Sequence, residues 1–318
     1  MIILKFGGSS IKDSSHIKNI CSIIDSKVKS DNVAIVFSAM GGITNRLVKL
    51  AEKAKNRKNY EIDLNSLKKI HQNCMDELQL VETSVKLDKC LKKLIIDLSI
   101  ISKKNHLSDK LLDKILSYGE ILSTTIIADY LNFQNIPSEQ LITNNIIITD
   151  NNFGNAYVHF QKSFNKIRNY FKEHKKTQII TGFIGSTEDG KITTLGRNGS
   201  DYTATLFGTA LDAKSIEIWS DVDGVLSTNP NFTKEARAIP HLTYEEAMEL
   251  AHAGAEILFP PSIIPVLYKN IPIKIKNTLN PKHPGTEIIS KRKSIDPIVG
   301  ISSLTKISIV RLQGAGLI

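Results

Sequence analysis

Short continuous apolar runs alternate with amphipathic stretches along most of the chain, and the two patterns specify different elements. IILKF (2–6) and VAIVF (33–37) are five-residue runs rich in branched side chains, as in strands buried on both faces. Between them Ile17, Ile20, Ile24 and Val28 recur at helical spacing, behind the candidate caps Ser14 and Ser15. SAMGGITN (38–45) follows the second run, and a helix is expected from about 44 to 56. From about 60 to 133 the apolar period stays helical, through Leu64, Leu67 and Ile70 and then Leu87, Leu91, Leu94, Leu98 and Ile101. This predicts a long helical insertion on one end of the sheet. Its stretch from 105 to 120 closes at Tyr118-Gly119-Glu120 and leads into another helix over ILSTTIIADYLNF.

Strand and helix alternate again after 140. TQIITGF (177–183), KITTL (191–195), SIEIW (215–219) and IPIKIKN (271–277) read as strands, with Glu-Asp-Gly turn chemistry between the first two. GRNGSD (196–201) leads from a glycine-rich turn into a helix. LTYEEAMELAHAG is a helix with Thr243 and Glu246 at capping-box spacing and Gly254 at its end. Strand, glycine-rich turn, helix and strand in succession predict a parallel α/β sheet. The last stretch, VGISSLTKISIVRLQGAGLI, reads as one or two strands that open a further unit, since Ile307, Ile309 and Leu312 alternate without a later partner.

Composition narrows the class. The 318 residues are 41% hydrophobic and 23% charged, the balance of a soluble globular enzyme. No apolar run approaches the roughly 18 residues of a membrane span, and Lys5 interrupts the first apolar stretch where a secretory leader needs continuity. Cys21, Cys74 and Cys90 match neither a zinc spacing nor a disulfide framework, which points to a reducing cytoplasm. The net charge of +9 is spread over scattered lysines with no aromatic-interleaved basic stripe. Nucleic acid is therefore not the expected partner, and an anionic small molecule suits the charge equally well. The histidines, among them His16, His71 and His106, read as polar helix-surface residues and form no triad.

Three glycine-rich or acidic turns carry candidate chemistry. KFGGSS is either an anion cradle of backbone N–H groups with a lysine beside it or a tight turn with a lysine reaching water. It is not a Walker A loop. In GRNGSD, Arg197 offers a fork suited to a carboxylate and Asp201 falls in the first helical turn; a plain cap with a surface arginine fits as well. SDVDG (220–224) is either a metal-binding acidic loop or a pair of Asx-turns, and it is not an EF-hand. Glu120, in an otherwise apolar helical stretch, is either paired or faces a cleft.

Taken together, IILKFGGSSI, FSAMGGITN, YGE, GRNGSD, SDVDGV leading to EEAMELAHAGAEIL, and IPIKIKNTLNPKHPGT resemble the aspartokinases, in order and context, over essentially the whole chain. The resemblance implies an α/β fold of the amino-acid kinase type. That fold is a three-layer αβα sandwich around a mainly parallel eight-stranded sheet, with a helical insertion. Residues 1–291 would form the catalytic domain, and 292–318 a linker and the first strands of a truncated ACT-type regulatory region. The implied reaction transfers the γ-phosphoryl group of ATP to the β-carboxylate of L-aspartate, with Mg²⁺ bridging the phosphates through substrate oxygens and water. Carried over by motif, Lys5 meets the transferring phosphoryl group and Asp201 orients it. Gly7, Gly8 and Ser9 bind phosphate, and Ser220, Asp221 and Leu226 lie at the nucleotide. Ser38 and Thr44 hold the reacting end of the substrate, with Ser200 in the same site. Glu120 pairs with the substrate ammonium and Arg197 with its α-carboxylate. No membrane or nucleic-acid partner is implied, and the protein is a homo-oligomer if the regulatory region is present.

The chain departs from the family pattern at the nucleotide end. Glu256 stands where a lysine is usual, Phe259 and Pro261 replace a histidine and an arginine, and Leu226 replaces a tyrosine. Asn229 and Asn231 stand where an aspartate and an arginine are common. A non-catalytic chain of the same fold, binding aspartate with impaired ATP binding, is the alternative.

Overall fold

The two five-residue apolar runs form β1 (Ile2–Phe6) and β2 (Val33–Phe37), paired in parallel with Ile2 opposite Val33. Every residue of β2 is buried, as a strand covered on both faces requires. The computed structural model describes residues 1–255, 258, 260–292 and 298–303. Four further strands complete the parallel part of the sheet with β1 and β2: β3 (Ser138–Leu141), β4 (Thr177–Thr181), β7 (Ser215–Ser220) and β9 (Ile273–Asn277). Two short strands, β8 (His241–Thr243) and β10 (Thr286–Ile289), which like β3 the apolar pattern did not mark, complete the far side. The order is β3-β4-β2-β1-β7-β9-β10-β8, parallel throughout except between β9 and β10. KITTL is not part of this sheet. Its core, β6 (Ile192–Thr194), pairs antiparallel with β5 (Ile184–Ser186) in a separate hairpin.

Helices cover both faces. On one side lie α1 (Ser14–Ser30), α2 (Ile43–Lys55), α3 (Glu61–Glu77), α4 (Thr83–Lys104) and α5 (Asp109–Phe133), around a core that includes Leu4, Phe6, Ile35, Phe37 and Trp219. On the other lie α6 (Phe160–Glu173), α7 (Gly199–Ala210), α8 (Tyr244–His252) and α9 (Pro260–Leu267), around Ile3, Val36, Phe207 and Ile216. This is the expected three-layer αβα sandwich. The expected insertion at one end of the sheet is instead part of a layer: α5 lies on β2, β3 and β4, and α4 packs outside it on α2 and α5.

Three local expectations are corrected. The cap of α1 is Asp13, one residue before Ser14, and its carboxylate accepts the His16 N–H at 3.0 Å. The helix expected to close at Tyr118-Gly119-Glu120 runs straight through it, so α5 is one helix of 25 residues. His71 is fully buried rather than at a helix surface; its Nδ1 lies 2.8 Å from the Leu67 carbonyl, and burial lowers its pKa. The capping box of α8 forms as expected, with Thr243 and Glu246 satisfying each other's backbone N–H groups.

Under the sheet, Phe37, Phe6 and Trp219 stack in sequence across β2, β1 and β7, with ring centroids 5.4 and 6.0 Å apart. The Trp219 indole N–H donates to the buried Glu217 carboxylate at 3.1 Å, and Lys27 of α1 pairs with the same carboxylate at 2.5 Å. Cys21 and Cys74 are buried and Cys90 half-buried, all three unpaired. Burial pushes the Cys74 and Cys90 thiols up to about 12. Among the described residues no helix is long and apolar enough to cross a membrane. Ile301 N–H donates to the Ser227 carbonyl at 2.8 Å, whereas the strand expected around Ile307, Ile309 and Leu312 lies outside the described residues.

Burial opposes ionisation of Asp13, but hydrogen bonds from the Ser15 and His16 side chains and the His16 N–H hold its carboxyl well below the usual range. Asp13→Ala is expected to lower unfolding stability by about 1 kcal/mol at neutral pH. The lowered pKa makes this contribution complete above pH 3.8, the ordinary value, and lost as pH falls below it. Denaturant titrations of the two proteins should therefore converge in acid.

Candidate active site

The C-terminal ends of β1, β2, β4 and β7 face the same edge of the sheet, with β1 at the point where the strand order diverges toward β2 on one side and β7 on the other. Open parallel sheets bind ligands outside the strand ends at such a switch point. Here the chain leaves β1 through Gly7 and a 3-10 turn over Gly8–Ile11 into α1. Gly8 has to be glycine: a Cβ would sit 2.9 Å from the Ala39 carbonyl oxygen, so the turn could not approach the loop after β2. Ser9 is exposed, whereas Ser10 is buried and its hydroxyl donates to the Trp219 carbonyl at 3.4 Å.

Lys5 belongs to a central strand and is not an edge residue reaching water. Leu4 and Phe6 face α1 and α5, so the alternation of a strand sends Lys5 to the α7 side. There its Nζ pairs with Asp201 Oδ1 at 2.6 Å, the two side chains being 12% and 9% exposed. The ammonium also lies close to the glycine turn: a Cβ on Gly7 would be 3.5 Å from it. Asp201 stands in the first turn of α7, where the helix dipole favours a carboxylate.

Glu120 comes to the site from α5. It is 3% exposed, its Oε1 accepts the Ala39 N–H at 3.1 Å, and its Oε2 is buried with no hydrogen-bond partner among the described residues. Burial raises its pKa to about 8, against the pull of the Ala39 N–H. Gly119 makes this approach possible, since a Cβ there would lie 2.8 Å from the Ala39 side chain. Ser38, half-buried, donates its N–H to the Phe6 carbonyl at 3.2 Å, and its own carbonyl accepts the Ser123 hydroxyl at 2.7 Å. Thr44 is half-buried in the first turn of α2. A single loop, 38–44, thus touches the glycine turn, the end of β1 and Glu120.

In GRNGSD, Asn198 takes the left-handed conformation at the start of α7, and neither Ser200 nor Asp201 is the cap residue. Arg197 is exposed; Ser200 is buried in the first turn, against the backbone of Gly182 after β4. At the end of β7 the Ser220 carbonyl accepts Thr278 N–H and hydroxyl at 2.8 and 2.9 Å, and Asp221 is exposed. In SDVDG the second carboxylate, Asp223, holds the Asn277 and Asn280 amides at 2.9 and 3.1 Å. Leu226 is half-buried and bridges Ala238. Of the departures, Glu256 and Phe259 lie outside the described residues, and Pro261 is in the first turn of α9. Lys269 is tied to the far end of α7 through the Thr209 carbonyl and Asp212.

The fold therefore gathers Lys5, Gly7, Gly8, Ser38, Glu120 and Asp201 around connected loops, with Arg197 and Ser200 at the start of α7 and Ser220 and Asp221 at the neighbouring strand end. Sequence reading overlooked Ser10 and Thr278, whose hydroxyls lie 3.4 Å apart and join the glycine turn to the segment after β9. It also overlooked Asp113, a carboxylate on the same helical face as Glu120.

A lysine–aspartate pair, a glycine turn and a buried carboxylate thus meet at the switch point of an αβα sandwich. The chain belongs to the amino acid kinase family, whose sequence profile matches residues 1–277. It is 36% identical to aspartokinase 1, chloroplastic, of Arabidopsis thaliana over 98% of this chain and 56% of that protein. It is 32% identical to a bifunctional aspartokinase/homoserine dehydrogenase of Buchnera aphidicola, over 99% of this chain and 40% of that one. Among solved structures it superposes on Escherichia coli aspartokinase III in complex with aspartate and ADP with a TM-score of 0.84 at 29% identity, covering 92% of this chain and 65% of the other. The chain spans about half the length of the curated relatives it matches.

The Glu120 environment has a consequence for stability without any ligand. Its carboxyl is raised from 4.5 to about 8 in the folded chain, so between those values the native state holds a proton that the unfolded state releases. Stability is then full below about pH 4.5 and declines as pH rises toward 8, by a few kcal/mol for a carboxylate this buried. Glu120→Gln, which cannot ionise, should flatten that decline in urea titrations across the range. An equal slope in both proteins would remove the effect.

Proposed function

We propose that the chain is an aspartate kinase, transferring the γ-phosphoryl group of MgATP to the β-carboxylate of L-aspartate to give 4-phospho-L-aspartate and ADP. The observation that carries the reading is the Lys5–Asp201 ion pair held beside Gly7 at the end of the central strand. It places a fixed positive charge beside an anion-binding turn. The resemblance to aspartokinases along nearly the whole chain supports the same assignment.

A carboxylate is already a nucleophile, so the reaction requires no general base. A β-carboxylate oxygen attacks the γ-phosphorus, the bond to the β–γ bridging oxygen breaks, and ADP leaves. What the protein supplies is in-line placement and cancellation of negative charge. Lys5 neutralises the transferring phosphoryl group, and Asp201 fixes its direction. Gly7, Gly8 and Ser9 take the β- and γ-phosphates through N–H groups and a hydroxyl. Glu120 offers its unpartnered oxygen to the substrate ammonium, and Arg197 its fork to the α-carboxylate, with Ser200 beside it. Ser38 and Thr44 hold the reacting end. Ser220, Asp221 and Leu226 lie along the nucleotide.

Magnesium enters with the nucleotide. Among the described residues no three histidine, cysteine or acidic side chains gather into a metal cage. The reading places the chain at the first step of lysine, threonine and methionine biosynthesis, in a reducing cytoplasm suited to its three unpaired thiols. We assign residues 1–291 to the catalytic domain and 292–318 to a linker and the first strands of an ACT-type region, the protein being a homo-oligomer if that region is present.

The chain incubated with MgATP and L-aspartate should form an acyl phosphate that hydroxylamine traps as the hydroxamate. Lys5→Ala should lower turnover by roughly 10²-fold or more while leaving the far-UV circular dichroism unchanged. No acyl phosphate at millimolar ATP would defeat the assignment.

A further inference from the structure

Asp113 precedes Glu120 by seven positions in α5, so the two carboxylates leave one helical face about 10 Å apart along the axis. It is 1% exposed and accepts three hydrogen bonds from neutral donors. Its Oδ2 takes Gly154 N–H and Thr194 N–H, each at 2.9 Å, and its Oδ1 takes the Thr194 hydroxyl at 2.7 Å. Ala156 N–H donates to the Thr194 carbonyl at 2.9 Å, so the loop at Gly154 and the end of β6 form one piece. That piece runs directly into the turn that bears Arg197. Leu195 N–H donates to the Phe183 carbonyl at 2.9 Å and Gly199 N–H to the Gly196 carbonyl at 3.1 Å, so the turn is continuous with its anchor.

The choice of an aspartate here is costly for stability. Burial pushes its carboxyl up even though three donors stabilise the ionised form. Where three donors converge, an acceptor-only group satisfies all of them, whereas an amide or hydroxyl brings a donor of its own. The group is thus suited to hold two elements at one separation. Helix α5 carries Glu120, and the β6–α7 turn carries Arg197.

We propose that Asp113 is a positioning residue: it latches the β6–α7 turn to α5 and fixes the separation of Glu120 from Arg197, and with it the seat of the substrate's α-ammonium and α-carboxylate. The proposal rests on the aspartate kinase reading. The phosphate turn and the end of β7 are not part of the latched piece, so the nucleotide end stays in place when the latch opens.

In the 318-residue chain, Asp113→Ala should raise KM for L-aspartate by roughly tenfold or more, with KM for MgATP within about twofold of its starting value. Asp113→Asn, whose amide oxygen accepts both N–H groups, should recover most of the aspartate KM. A purely structural role would lower the active fraction, and so kcat, without moving one KM apart from the other. If Asp113→Ala does not fold, Thr194→Val removes the hydroxyl bond alone and should shift aspartate KM in the same direction. Amide hydrogen exchange should quicken at Gly154 and Thr194 in either variant. An unchanged aspartate KM in a folded variant, equal shifts in both KM values, or unchanged exchange at those amides overturns the proposal. Should the unaltered chain form no acyl phosphate, the kinase reading fails, and the substrate role of Asp113 with it; the exchange measurement still shows whether the latch exists.

Discussion

An ammonium group at the end of a strand buried on both faces stays there only if a carboxylate meets it. Lys5 and Asp201 satisfy that condition across 196 positions of sequence, and much of the architecture follows from bringing them together. β1 has to be central, so that its C-terminal end is flanked by β2 and β7. Helix α7 has to begin beside that end, with Asp201 in its first turn. The chain then leaves β1 through Gly7 and Gly8, and it is at Gly8 that a Cβ would sit 2.9 Å from the Ala39 carbonyl oxygen. The pair is not sealed, since about a tenth of each side chain is exposed.

The second constraint is the Ala39 backbone. Its carbonyl abuts Gly8 and its N–H donates to Glu120, so one residue relates the glycine turn to the buried carboxylate. That geometry accounts for two glycines at once. Gly8 admits the loop from one side and Gly119 admits it from the other, although a glycine in mid-helix costs stability relative to alanine. The cost is local, and α5 remains unbroken because its flanking turns are packed on β2, β3 and β4.

The central strands were legible because a strand covered on both faces leaves a continuous apolar run with no periodic ambiguity. The edge strands β3 and β8, and β10 between β9 and β8, were not, since three- and four-residue strands carry no such run. Gly119 read as a stop because propensity alone disfavours it in a helix; the contact with Ala39 that justifies it is invisible in one dimension. Ser14 read as a cap although Asp13 is the better acceptor, and the error is one residue wide. Lys5, Glu120 and Asp201 were found through their motifs, and their mutual arrangement came from the fold. Asp113 escaped because its partners, Gly154 and Thr194, are distant in sequence and unremarkable in type.

Trp219 gives these contacts an optical handle. It is the one tryptophan in the chain, it stacks on Phe6 at the strand end that leads into the glycine turn, and its indole N–H is bonded to Glu217. Its carbonyl accepts Gly7 N–H and the Ser10 hydroxyl. The protein's tryptophan emission therefore originates within one residue of Ser220 and directly behind the glycine turn. Fluorescence excited selectively from this tryptophan, at wavelengths the eight tyrosines do not absorb, is a local gauge of that turn.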